Sequence, residues 1–170
     1  MKALVVYESM YGNTRHVAEA IAMGIGEDAV AIEVGHAPNV IPGEVELLVV
    51  GGPTHVHGMS RSSTRESAAA RVNRSVISKI GIRDWLETLR LERPIVGATF
   101  DTRIDGMELL TGSAAKGAAK LLRSRGCRVE SVASFVLNGE KGDFDRVNQS
   151  EIERARDFGR SLESLLPVLA

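Results

Sequence analysis

An apolar run, Ala3-Leu4-Val5-Val6-Tyr7, leads straight into Glu8, Ser9, Met10, Tyr11, Gly12, Asn13 and Thr14, and then into a segment with helical spacing. Ser9 and Thr14 bring hydroxyl donors, Asn13 an amide, and Gly12 a backbone that can come close to a ligand. A helix starting here adds unpaired N–H groups and partial positive charge. Donors of this kind hold an anion, a phosphate above all, without a lysine. The same residues also make an ordinary helix cap with no ligand, and residue types alone leave both readings open.

Two later stretches carry chemistry of a different kind. Residues 51–65 read GGPTHVHGMSRSSTR, where Pro53 and Thr54 close an apolar run and His55, Val56, His57 and Gly58 follow. Two histidines one residue apart suit a surface loop or a stacking role; a metal site lacks an evident third ligand nearby. Residues 99–106, TFDTRIDG, set Phe100 beside Asp101, Thr102 and Arg103. Residues 61–74 hold four arginines and one glutamate. They read as a solvated helix face or as a docking patch for an acidic partner or a phosphorylated nicotinamide cofactor.

Competing phosphate motifs fail. GIGEDA at 24–29 lies after a helix and before a strand, the wrong context for a dinucleotide fingerprint, and no GxxxxGK[ST] occurs. The paired carboxylates of a phospho-accepting receiver are missing after the first strand, where Glu8 stands alone beside Ser9.

The elements that must position these residues follow from apolar runs alternating with helical patterns, the sequence form of a parallel α/β sheet. Strands are expected at 2–7, 29–34, 46–51, 94–100 and 127–137, the first, third and fourth buried on both faces because they are nearly continuous. Helices are expected at 13–26, 62–72, 82–91, 113–125 and 149–166, the last with an apolar face of Ile152, Ala155, Phe158, Leu162, Leu165 and Leu166. Residues 35–44 and 138–148 read as loops. The expectation is one doubly wound domain over 1–170, with a five-stranded parallel sheet, helices on both faces, and ligands at the carboxyl ends of the strands.

Bulk properties set limits. The chain has 170 residues, 44% hydrophobic and 25% charged, with a formal net charge of −1. This balance argues against nucleic-acid binding as the main task. No apolar stretch is long enough for a membrane span. MKALVVYES reads as a first strand rather than a signal peptide. The single cysteine, Cys127, excludes an internal disulfide and fits a buried thiol in a cytoplasmic protein.

Val5-Val6-Tyr7, Ser9, Gly12, Thr14, Ala18 and Ile21 match, position by position, the phosphate-loop pattern of flavodoxins, and the order of strands and helices is in register with that family from end to end. The chain resembles a flavodoxin-type domain, with strand order 2-1-3-4-5. The resemblance implies flavin mononucleotide (FMN), with its phosphate on Ser9, Met10, Tyr11, Gly12, Asn13 and Thr14. It places Pro53, Thr54, His55, Val56, His57 and Gly58 on one face of the isoalloxazine. Phe100, Asp101, Thr102 and Arg103 fall on the other face and the pyrimidine end.

Flavodoxins commonly carry a tryptophan in the first of these loops, followed by a peptide that flips its carbonyl toward N5–H of the one-electron-reduced ring. This sequence has no aromatic hydrocarbon ring there, and its loop is longer; His55 or His57 takes the stacking place and Gly58 the flip. Flavodoxin carriers also tend to be strongly acidic, unlike this chain. The implied function is an electron carrier between partner enzymes, monomeric or weakly dimeric. The alternatives are an NAD(P)H-dependent quinone reductase and a flavodoxin-fold binding protein without flavin.

Overall fold

The computed structural model describes residues 1–55, 58–72, 77–104, 112–137 and 147–166, with the side chains of residues 71 and 72 outside the description. Strands β1 (Ala3–Tyr7), β2 (Ala29–Glu33), β4 (Leu47–Pro53), β6 (Val96–Ile104) and β7 (Arg128–Leu137) form one sheet in the order β2-β1-β4-β6-β7, with every pairing parallel. Among these five, this is the expected 2-1-3-4-5. Two-residue strands β3 (Val40–Ile41) and β5 (Arg90–Leu91) pair separately. Helices are α1 (Asn13–Ile25), α2 (Ser62–Val72), α3 (Ile82–Thr88), α4 (Ala114–Ser124) and α5 (Gln149–Glu163).

Alternation along each strand divides the core between the two faces of the sheet. Ala3, Val5 and Tyr7 join Leu47, Val49, Ala98 and Phe100 under α1 and α5. Leu4 and Val6 join Leu48, Val50, Ile82, Trp85, Leu86 and the inner face of α4. Glu8 continues the second series, so its carboxylate enters the same side as Leu4 and Val6. Central strands buried on both faces explain the unbroken apolar runs that stand for them in the sequence.

Helices α1 and α5 pack against each other through two glycines. A β-carbon on Gly24 would sit 2.1 Å from the Arg156 carbonyl oxygen, and one on Gly159 would sit 2.2 Å from that of Ile21. Only hydrogen fits at either place. Cys127 is buried at the start of β7, where loss of solvent pushes its thiol up to about 11.

Three local differences from the expected elements have physical causes. Helix α3 ends at Thr88 because Leu89 turns extended (ψ 134°) and Arg90–Leu91 pair with Val40–Ile41, inside what reads as a loop. Strand β6 runs on through Asp101–Ile104, since β4 pairs with it as far as Thr102 and β7 as far as Ile104. Helix α5 stops at Glu163 because the bonds tighten there, the Leu165 and Leu166 amides donating three residues back to the Leu162 and Glu163 carbonyls.

Candidate functional site

Gly12 makes the turn from β1 into α1 with φ of +103°, a conformation a side chain rarely tolerates. Three residues upstream, Ser9 Oγ accepts hydrogen bonds from the amides of Gly12 (3.1 Å) and Arg15 (3.3 Å). The serine therefore bridges the loop and the first turn of α1, as a cap would. Asn13 Oδ1 accepts the Val147 amide at 3.0 Å. Thr14 Oγ1 lies 2.8 Å from Thr102 Oγ1, tying the loop to β6. Tyr11 donates its phenol hydrogen to the Ala68 carbonyl of α2. Ser9, Met10, Asn13 and Thr14 are buried. The polar groups that the sequence offers to a ligand thus also hold the loop together, as buried polar atoms must find partners.

The loop has a roof. Residues 77 and 78 lie along residues 9 and 10, with Ile77 N–H donating to the Met10 carbonyl (3.1 Å) and Ser78 N–H to the Ser9 carbonyl (2.9 Å). The Ser9 amide in turn donates to Ser78 Oγ at 2.9 Å. The strap is pinned at its far end by a buried carboxylate: Glu8 Oε2 accepts the Ile82 amide at 2.9 Å, and Glu8 Oε1 accepts the Ser60 hydroxyl. Arg65 donates to Ser60 Oγ at 2.9 Å and to Asp84 Oδ2 at 2.7 Å, and Asp84 also takes the Gly81 amide. Burial pushes the Glu8 carboxyl above its ordinary value; the bonds from Ser60 and Ile82 and the Arg65 charge oppose that shift. Arg65 is thus buried and ion-paired, neither a solvated nor a docking residue. Arg61 is exposed, whereas the Arg71 side chain and Arg74 lie outside the described residues.

The second turn lies next to the first. Pro53 pairs with Thr102, and the Thr54 amide donates to the Thr102 carbonyl at 2.8 Å. His55 and Gly58 exchange two backbone hydrogen bonds of 2.9 Å, with Gly58 at φ +123°. Val56 and His57 lie outside the described residues. Thr54 Oγ1 accepts the Ala114 amide at the start of α4.

The third turn corrects two expectations. Phe100 points into the core: a β-carbon on Gly51 would be 2.2 Å from its ring, and Phe135 meets it edge-on. It does not cover a ring at the sheet edge, because strand alternation sends it under α1. Asp101 is fully buried, and its carboxylate is held by Ser113 Oγ (2.6 Å), the Ala115 amide (3.0 Å) and Ser134 Oγ (2.6 Å). It caps α4 and is no polar edge for a ligand. Thr102 faces Thr14, and Arg103 is half-buried on the α4 side.

Glu8, Ser60, Arg65 and Ser78 do not stand out as site residues in the sequence. A lone carboxylate directly after a wholly apolar strand is a signal for Glu8; Ser78 lies in a stretch without periodicity and has none.

A phosphate fits this first turn in its chemistry: uncharged donors at a helix start, with a glycine at the bend. Among the described residues, a β-carbon at Gly12 would have only the Ile77 Cδ1 methyl within 4 Å, at 3.9 Å. The Ser9 and Ser78 oxygens each accept amides, while their hydrogens are donated to no group among the described residues. A groove of about 550 Å³ beside β2, lined by Glu19, Met23, Gly26 and Val30, is at the other end of α1. Among the described residues, no group of three or more His, Cys, Asp or Glu could hold a metal ion, and no helix is long and apolar enough to cross a membrane.

Solved structures of matching architecture settle the fold. Flavodoxin 2 of Bacillus cereus is 19% identical, with 98% of this chain and 100% of that one covered and a TM-score of 0.66. A flavodoxin from the domain Archaea is 19% identical over 96% and 97%, with a TM-score of 0.64. The chain has the flavodoxin-like fold. The flavodiiron protein of Giardia intestinalis contains a similar unit, 17% identical over 96% of this chain and 36% of that one, with a TM-score of 0.56. No family model and no curated protein matches the sequence. In a flavodoxin-like sheet of this order the switch point lies between β1 and β4, where the Ser9–Thr14 and Pro53–Gly58 turns stand side by side.

Proposed function

We propose that the protein binds FMN at the carboxyl edge of its sheet and carries electrons between partner proteins in the cytoplasm. The observation that carries this reading is the first turn: Gly12 at positive φ, Ser9 bridging the Gly12 amide of the loop and the Arg15 amide of α1, and Thr14 with Thr102, all at the switch point. Ser9, Gly12, Asn13 and Thr14 hold the phosphate. Thr54, His55 and Gly58 flank the ring on one side, with Thr102 and Arg103 near its other edge. When bound, FMN supplies the group that takes up and releases electrons. The chain's part is to anchor it, orient it and keep water from the phosphate end.

Calorimetric titration with FMN and riboflavin tests this. Tight FMN binding with much weaker riboflavin binding is the expected result; equal affinities refute a phosphate on residues 9–14. Oxidation of NADPH with a quinone as acceptor separates a carrier from a reductase. Turnover without any added partner protein would favour the reductase.

A further inference from the structure

Glu8 is 1% exposed and lies one residue before the Ser9 turn. Its two carboxylate oxygens accept the Ile82 amide and the Ser60 hydroxyl, so it joins the end of the strap to the segment that follows Gly58. Among the described residues, the charged groups that act on it are Arg65 of α2 and Asp84 of α3. The Arg65 guanidinium is bonded to Asp84 Oδ2 at 2.7 Å and reaches Glu8 only through Ser60 Oγ. It is wedged against Gly81, where a β-carbon would come within 2.2 Å of Nη1. Two carboxylates thus share one cation, and ionised Glu8 leaves a surplus negative charge. Ser9, Ser60 and Ser78 are buried as completely as Glu8, so water screens that charge poorly from the first turn. Burial also raises the Glu8 carboxyl above its ordinary value, which brings its titration closer to neutral pH.

We propose that Glu8 makes anion binding at the first turn proton-linked: the phosphate-bearing ligand binds more tightly when Glu8 is protonated, and its arrival draws a proton from solvent onto that carboxyl. This rests on the FMN reading and gives it a dependence on pH. An anion on Ser9–Thr14 disfavours a second negative charge close by, so the Glu8 value is higher in the complex than in the free protein. Affinity therefore falls as pH rises from the free value to the bound one and is level on either side. The proton enters on Oε1, which then donates to Ser60 Oγ, while Oε2 keeps the Ile82 amide. Glu8→Gln puts an amide in the same arrangement and holds the protonated pattern at every pH.

Titration calorimetry of the whole chain with FMN at about pH 5 and about pH 8, in pairs of buffers of different ionisation enthalpy, reads affinity and proton uptake together. At the higher pH, Glu8→Gln should bind FMN at least about fivefold more tightly than wild type, and the extra proton uptake of wild type should be absent from it. Riboflavin, which lacks the phosphate, should bind the two proteins alike. If Glu8→Gln weakens both ligands, Glu8 is scaffold and the proton link is refuted. If Glu8→Gln fails to fold by circular dichroism, Ser60→Ala decides: the carboxylate then loses a bond that favours its charge, so the fall in FMN affinity should move to higher pH, and an unmoved fall refutes the link. If FMN binds ahead of riboflavin but wild type and variants share one pH profile, the link falls and the FMN reading stands. If wild type takes FMN and riboflavin equally at both pH values, the FMN reading falls and the link falls with it.

Discussion

Thr14 and Thr102 are two hydroxyls 2.8 Å apart, and only one hydrogen can lie between them. The other is left to donate elsewhere, which suits an anion at the helix start. Thr14→Val removes that donor and leaves Thr102 without its partner. A hydrogen bond to a charged group contributes about 1.5–3 kcal/mol, so FMN affinity should fall about tenfold to a hundredfold, with a stability loss of about 1 kcal/mol. Titration calorimetry and urea unfolding measure the two separately; unchanged affinity would leave Thr14 a fold residue only.

Glu8 belongs to the same scale. Its carboxyl is raised above 4.5 by burial, so the folded chain binds this proton more readily than the unfolded one. The stability it contributes is fully present below 4.5 and is lost as pH rises through the folded value. Wild type should therefore show a decline in unfolding free energy above pH 4.5 that Glu8→Gln lacks. Parallel pH profiles for the two proteins would refute this. Neither pairing could be read from the sequence, since Thr14 with Thr102 and Glu8 with Ser60 join residues far apart in the chain. The donors themselves could be read, because they crowd into six consecutive positions.

At the scale of elements, the crossing of α1 and α5 is set by Gly24 and Gly159. Gly159→Ala would force a methyl to 2.2 Å from the Ile21 carbonyl, a backbone atom that cannot swing away. Overpacking of this kind costs about 1–3 kcal/mol, or roughly 2–4 °C in Tm for each kcal/mol at this size. Thermal unfolding followed by circular dichroism checks it, with Gly26→Ala as a contrast: a β-carbon there would meet nothing within 4 Å among the described residues, and the φ of +119° brings strain without collision.

Element positions were legible to within a few residues wherever periodicity was strong. Val17, Ile21 and Ile25 mark α1, and Ser113 marks the cap of α4, whose side chain accepts the Lys116 amide. What stayed hidden was decided by partners. Asp101–Ile104 is polar and reads as loop, yet it continues β6 because β7 pairs with it, and α4 and Ser134 hold its one carboxylate. Arg90–Leu91 continues an apolar pattern and reads as helix, yet it pairs with Val40–Ile41.

At the scale of the whole molecule, ligand and fold are linked. A ligand that binds only the folded chain stabilises it by RT ln(1 + [L]/Kd), about 2.7 kcal/mol at a hundredfold excess over Kd. FMN should raise Tm by roughly 5–10 °C in differential scanning fluorimetry read through an extrinsic dye, increasing with concentration. Inorganic phosphate at millimolar levels should reproduce a small part of the shift if the first turn is the anchor. A Tm indifferent to FMN would contradict the proposed site.

The close seat of α5 on α1 also bears on how the chain is made. The apolar side of α1, with Val17 and Ile21, emerges well before α5, and β1 beneath it is an interior strand of the sheet, between β2 and β4. Its cover includes Ala155 and Leu162, which leave the ribosome more than a hundred residues later. Until then a nascent chain carries an open oily flank along its first helix. That interval, rather than any step at the ligand turn, is when the growing polypeptide is most exposed to chaperones and to self-association.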